Sequence, residues 1–116
     1  MSKESHQFST DAAKKVGVNA AIIFGHLIFL HKANLNRSDS WDGFRYWIKK
    51  TARAFEAMYP YLSQKEIRGA LDRLQKDGYI LSVAGLSENK FDRAKSFSIE
   101  QSGFDLYEIA ENERHV

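Results

Sequence analysis

The segment Tyr59-Pro-Tyr-Leu-Ser-Gln-Lys-Glu66 constrains the fold more than any other stretch of the chain. Pro60 is the only proline; it disfavours helical geometry in Tyr59 and supplies no backbone donor, so a helix arriving from upstream has to stop there. Ser63 and Glu66 then form a capping box, in which the Ser63 hydroxyl accepts from the Glu66 backbone N–H and the Glu66 carboxylate accepts from the Ser63 N–H. One helix ends and another begins within a few residues, which forces a sharp corner. Downstream, Ile67, Ala70, Leu71 and Leu74 form one apolar stripe, and Gly78 is the expected left-handed residue that ends the helix after Asp77. Upstream, apolar residues at 48, 52, 55 and 58 have a helical period, which predicts a helix over Ile48 to Met58 with Lys49, Lys50 and Arg53 on its other faces.

The flanking segments complete one small domain. Ser9 or Thr10 is suited to cap a short helix over Asp11 to Val16, with Gly17 ending it. Asn19 is expected to cap a longer helix over Ala20 to Ala33, apolar nearly all round and therefore the central core helix. Phe44-Arg-Tyr-Trp47 reads as a short extended piece after a polar, turn-rich segment. Tyr79 to Val83 and Ser96 to Ile99 have strand character, and the stretch Ala84 to Lys95 between them makes a β-hairpin with a long tip. From Ser102, an acidic tail carrying Phe104, Leu106, Tyr107 and Ile109 is expected to form a last short helix capped by Ser102. The expected class is α+β, mainly helical, with one domain over 1–100 and a tail over 101–116. At 116 residues the chain suits a single core, burying roughly two thirds of its extended surface.

No cysteine is present, which excludes disulfides, thiolate metal sites and a catalytic thiol. The longest apolar stretch, Ala20 to Leu30, is too short for a bilayer and is interrupted by Gly25 and His26, and Met1 to Thr10 has no signal-peptide character. A cytoplasmic protein with no membrane partner is expected. His26 and His31 are five apart, outside the spacing of a helical metal pair. Asp39 and Asp42 flank Trp41 in a turn, where carboxylates usually cap and solvate. No phosphate loop, dinucleotide glycine pattern or nucleophile elbow occurs. Neither an enzyme nor a cofactor is expected.

The net charge of +2 conceals a partition. Residues 45–99 carry eleven Lys/Arg against six Asp/Glu, whereas residues 100–116 carry one against five. A basic centre implies an anionic partner. The apolar stripe of the capped helix leaves Gln64, Lys65, Arg68, Gly69 and Asp72 outward, with Arg73 and Lys76 toward its flank. Arg68 has the geometry to bridge guanine, Gln64 to read adenine, and Lys65 and Lys76 suit phosphates. Lys49, Lys50 and Arg53 on the preceding helix, and Lys90, Arg93 and Lys95 at the hairpin tip, extend the basic set. Helix, corner, capped helix and hairpin is the order of a winged helix-turn-helix, whose second helix enters the DNA major groove. Trp41, Tyr46, Trp47, Tyr59 and Tyr61 cluster around the middle of the chain and are mostly expected in the core.

Residues 20–99 resemble the winged-helix domain of phage and plasmid replication initiator or replisome-organiser proteins. The matching stretches are Ala21-Ile-Ile, Asp42-Gly-Phe-Arg-Tyr-Trp47, Tyr59 to Ile80, and Asn89-Lys-Phe-Asp-Arg-Ala-Lys95. The resemblance implies that Ser63 to Lys76 is the recognition helix and Lys90 to Lys95 part of the wing, with double-stranded DNA as partner in replication or transcription regulation. Two positions depart from it: Gly69 where the family often has a second basic residue, and Ser96 where it often has an aromatic one. Those departures, the acidic tail and the absence of a recruiting second half suit an alternative, a phage-encoded inhibitor of a host protein or nucleoprotein complex, of the anti-CRISPR or replication-inhibitor kind. The core helix or the tail helix offers apolar area for a homodimer.

Overall fold

A computed structural model describes residues 8–35, 41–84 and 95–114. The elements run α1 (Thr10–Val16), α2 (Val18–Asn34), β1 (Ile48–Lys50), α3 (Ala52–Met58), α4 (Gln64–Lys76), β2 (Ile80–Ala84), β3 (Lys95–Ile99) and α5 (Gln101–Leu106), followed by a short 3-10 turn over Glu111–Glu113. The class is α+β, with helices packed on one three-stranded antiparallel sheet of order β1-β3-β2. No helix among the described residues is long and apolar enough to cross a membrane.

α2 is the axis of the core. Ile23, Phe24 and Leu27 on it are wholly buried, each contributing roughly 1.5–3 kcal/mol by removal from water. Its start differs from expectation. Ser9 caps α1 as anticipated, its hydroxyl accepting from the Ala12 N–H at 3.2 Å, but Gly17 both ends α1 and opens α2, at φ 89°. With one residue serving both helices, Asn19 falls inside the first turn and caps nothing; its side-chain amide instead reaches the Glu66 carboxylate at 3.5 Å.

The expected helix over Ile48 to Met58 is two elements. Ile48, Lys49 and Lys50 pair as a strand with Phe97, Ser96 and Lys95, and the Thr51 hydroxyl accepts from the Ala54 N–H at 3.0 Å to start α3 afresh. Lys49 and Lys50 therefore lie on β1, and of the expected helical cations only Arg53 is on a helix. The hairpin forms with Ile80 opposite Ile99 and Ser82 opposite Phe97, so that Phe97 and Ile99 enter the core while Ser96 and Ser98 are buried on the other face of the strand. Before β1, the extended piece shortens to one bridge between Trp41 and Tyr46. The Asp42 carboxylate accepts from the Phe44 and Arg45 N–H groups and from the Trp47 indole at 2.6 Å.

The tail packs on the same core. Phe104 and Ile109 are buried, and Leu106 and Tyr107 are partly so, so this apolar area is spent within the chain. The Tyr107 hydroxyl donates to the Ala21 carbonyl, and His31 of α2 bonds the Glu113 carbonyl at 2.9 Å. Ser102 does not cap α5; its hydroxyl donates to the Gly78 carbonyl at 2.6 Å, and Glu100 occupies the cap position. Tail acids meet cations: Glu100 pairs with Arg45 and Glu113 with Lys32 from the rest of the chain, and Asp105 with Arg114 of the tail itself.

Two glycines make opposite predictions. A Cβ on Gly103 would lie 2.5 Å from the Tyr79 carbonyl and 2.8 Å from the Phe24 ring, so Gly103→Ala is expected to destabilise the fold by about 1–3 kcal/mol. A Cβ on Gly69 meets nothing within 4 Å, and Gly69→Ala is expected to stabilise by about 0.4–1 kcal/mol. Denaturant titration of both variants checks the signs. Hydrogen bonds from Trp47, Arg45 and Phe44 lower the Asp42 pKa to about 2. A carboxyl depressed in the folded state stabilises it above the unfolded pKa of about 4 and loses that contribution as pH falls toward the folded value. The loss of stability below pH ~4 is expected to be smaller in Asp42→Asn, followed by Trp fluorescence.

Candidate nucleic-acid interface

The geometry of the α3–α4 corner sets what α4 presents. The Tyr59 N–H closes α3 on the Phe55 carbonyl at 2.9 Å, and the Leu62 N–H turns back onto the Tyr59 carbonyl at 3.0 Å. The capping box is complete: the Glu66 N–H donates to the Ser63 hydroxyl at 3.1 Å, and the Ser63 N–H donates to the Glu66 carboxylate at 3.0 Å. The Ser63 backbone N–H, helped by the Ser63 hydroxyl and the Asn19 amide, holds the Glu66 carboxyl below the usual carboxylate range. At the other end Gly78, at φ 83°, ends the helix as expected.

Ile67, Ala70 and Leu74 are buried and Leu71 half-buried, so the helical period turns Lys65, Gly69, Asp72 and Lys76 outward as one row. Lys76 thus lies in the middle of the exposed face. Gln64 and Arg68 border that row on one side. Lys65, Arg68 and Lys76 are exposed and make no ion pair with any described residue.

Arg73 borders the row on the other side and is occupied. Its Nε donates to Asp77 at 2.7 Å and its Nη2 to the Lys15 carbonyl of α1 at 2.9 Å. It ties α4 to the α1–α2 junction.

The expected cations divide further. Side chains alternate along β1, so Lys49 and Lys50 leave opposite faces of the sheet. Lys50 joins Gln64 and Arg68 around a groove of about 270 Å³ between α3, α4 and the sheet. Lys49 does not share it. Arg53 is exposed on α3. Lys95 pairs through its backbone with Lys50 and Ala84, while Lys90 and Arg93 lie outside the described residues.

The groove also holds a residue that sequence reasoning missed. Glu56 on α3 lines it, and its Oε1 is shut off from solvent with no hydrogen-bond partner among the described residues. A single acid on an amphipathic helix gives no sequence signal; only the packing of α3 against α4 and β3 encloses it. Of the clustered aromatics, Tyr46 and Tyr59 are buried, Trp41 and Trp47 are half-buried and Tyr61 is exposed. His31 is buried against Phe104 and Tyr46, a structural setting, and no three potential metal ligands are grouped among the described residues. Compared with protein families, with curated proteins and with solved structures, the chain matches none.

Proposed function

We propose that the chain is a non-catalytic winged-helix protein that binds double-stranded DNA, in replication initiation or transcription regulation, with α4 as its recognition helix. One observation carries the reading: an exposed face of a capped helix offers Gln64, Lys65, Arg68 and Lys76, its lysines and Arg68 without an ion pair among the described residues, while Arg73 is spent inside the fold. The element order α2-β1-α3-α4-β2-β3 and the strand order β1-β3-β2 support it, as does the corner that separates α3 from α4.

In this reading Arg68 and Gln64 face base edges and Lys65 and Lys76 face phosphates. Arg53 and Lys50 flank them from α3 and β1. No neighbour within the fold requires a glycine at 69, so the outward row has room for a further basic side chain there.

Arg68→Ala is expected to cost about 1–3 kcal/mol on a preferred duplex if its contact is bidentate, whereas Lys76→Ala weakens all duplexes and lowers the salt slope by about 1. Arg73→Ala is expected to lower thermal stability while leaving that slope unchanged. Fluorescence-anisotropy titrations on a selected duplex at several salt concentrations, with a melting curve for each variant, check all three. No affinity for any duplex at low salt would overturn the reading. Gly69→Arg is expected to strengthen binding and steepen the salt slope; a weakened or unchanged affinity would point instead to a protein facing α4.

A further inference from the structure

The groove between α3, α4 and the sheet has a chemistry that DNA binding does not use. Its walls are apolar where Phe55, Ile67, Leu71 and Phe97 meet. Opposite charges also line it, Glu56 and Asp72 on one hand and Lys50 and Arg68 on the other, yet no ion pair joins them. The Glu56 Oε1 is enclosed without a donor. A carboxylate oxygen removed from water and left unbonded is costly, and the cost is relieved by a ligand that brings a donor and positive charge to it.

We propose that this groove binds an amino-acid-like zwitterion with a large apolar side chain. The Glu56 carboxylate would turn from its enclosed position toward the groove to accept from the protonated amine, the ligand's acid group would face Lys50 and Arg68, and its side chain would lie against Phe55, Leu71 and Phe97. A volume of about 270 Å³ suits one ring on a short chain, close to the lower end of ligand pockets. A plain apolar molecule would leave the Glu56 oxygen unsatisfied, and a simple amine would add its charge beside Lys50 and Arg68 with only Asp72 left to offset them.

The site does not rest on the DNA reading, and its test uses no DNA. Phenylalanine is titrated into the full chain and followed by amide NMR, beside two relatives: hydrocinnamate, which lacks the amine, and phenethylamine, which lacks the acid. Phenylalanine is expected to shift amides of Glu56, Arg68, Leu71 and Phe97 together, saturably, and to raise the melting temperature. Hydrocinnamate and phenethylamine are each expected to bind at least tenfold more weakly, as is phenylalanine to Glu56→Gln. The two relatives keep the test decisive even if that variant folds poorly. The proposal is overturned if phenylalanine causes no saturable shifts at millimolar concentration. It fails equally if either relative binds as well as phenylalanine, or if folded Glu56→Gln binds undiminished.

Discussion

The direction of α4 is decided at Tyr59. Its side chain is wholly buried, edge-on to His26 of α2 and to Tyr61 beyond the proline, while its backbone ends α3 and receives Leu62. An aromatic anchored at both levels leaves the chain little choice of exit. Ser63 then fixes where α4 begins, and the spacing of Ile67, Ala70 and Leu74 fixes its rotation. Whichever partner meets the outward row, the row exists because the corner is rigid. Burial, with Tyr61 beside it, also raises the Tyr59 hydroxyl above the ordinary tyrosine range, which favours the uncharged form of the anchor.

Features that obey local rules were legible in the sequence. The capping box, the end at Gly78 and the amphipathic rotation of α4 each depend on residues within a few positions of one another, and they put Gln64, Lys65 and Arg68 on the exposed side; Lys76, expected toward the flank, lies in the middle of that face instead. What was not legible depends on distant pairing. Ile48 fits a helical stripe as well as a strand, and only β3, nearly fifty residues later, offers the edge that makes it extended. Asn19 is a sound cap by type, displaced because Gly17 opens α2 already. Ser102 follows the same logic: its hydroxyl finds the Gly78 carbonyl across the fold before it finds an N–H of its own helix.

Charge shows the same division between chain and surface. Counted along the sequence, the tail is an acidic block, but Glu100, Asp105 and Glu113 each lie beside a cation. Such pairs add little stability when exposed; what they change is the field, since a neutralised acid neither repels DNA nor attracts a basic partner at distance. The basic centre shrinks likewise, because Arg45 and Arg73 are the partners of Glu100 and Asp77.

What remains on α4 is mixed. Asp72 stands in the same outward row as Lys65 and Lys76, and it follows Arg68 by one turn without pairing to it. A carboxylate there opposes approach to phosphate, so α4 alone offers only modest sequence-independent attraction. In the proposed DNA reading, affinity would have to draw on Lys50 and Arg53 from the neighbouring elements, with α4 contributing chiefly through the shape and hydrogen-bonding reach of Gln64 and Arg68. The same two residues border the groove that encloses Glu56. An occupant there would restrain Arg68 directly, since a guanidinium engaged by a ligand's acid group has fewer donors left for a guanine. Were both proposals to hold, base reading and groove occupancy would be linked through one side chain, with no change in the fold required.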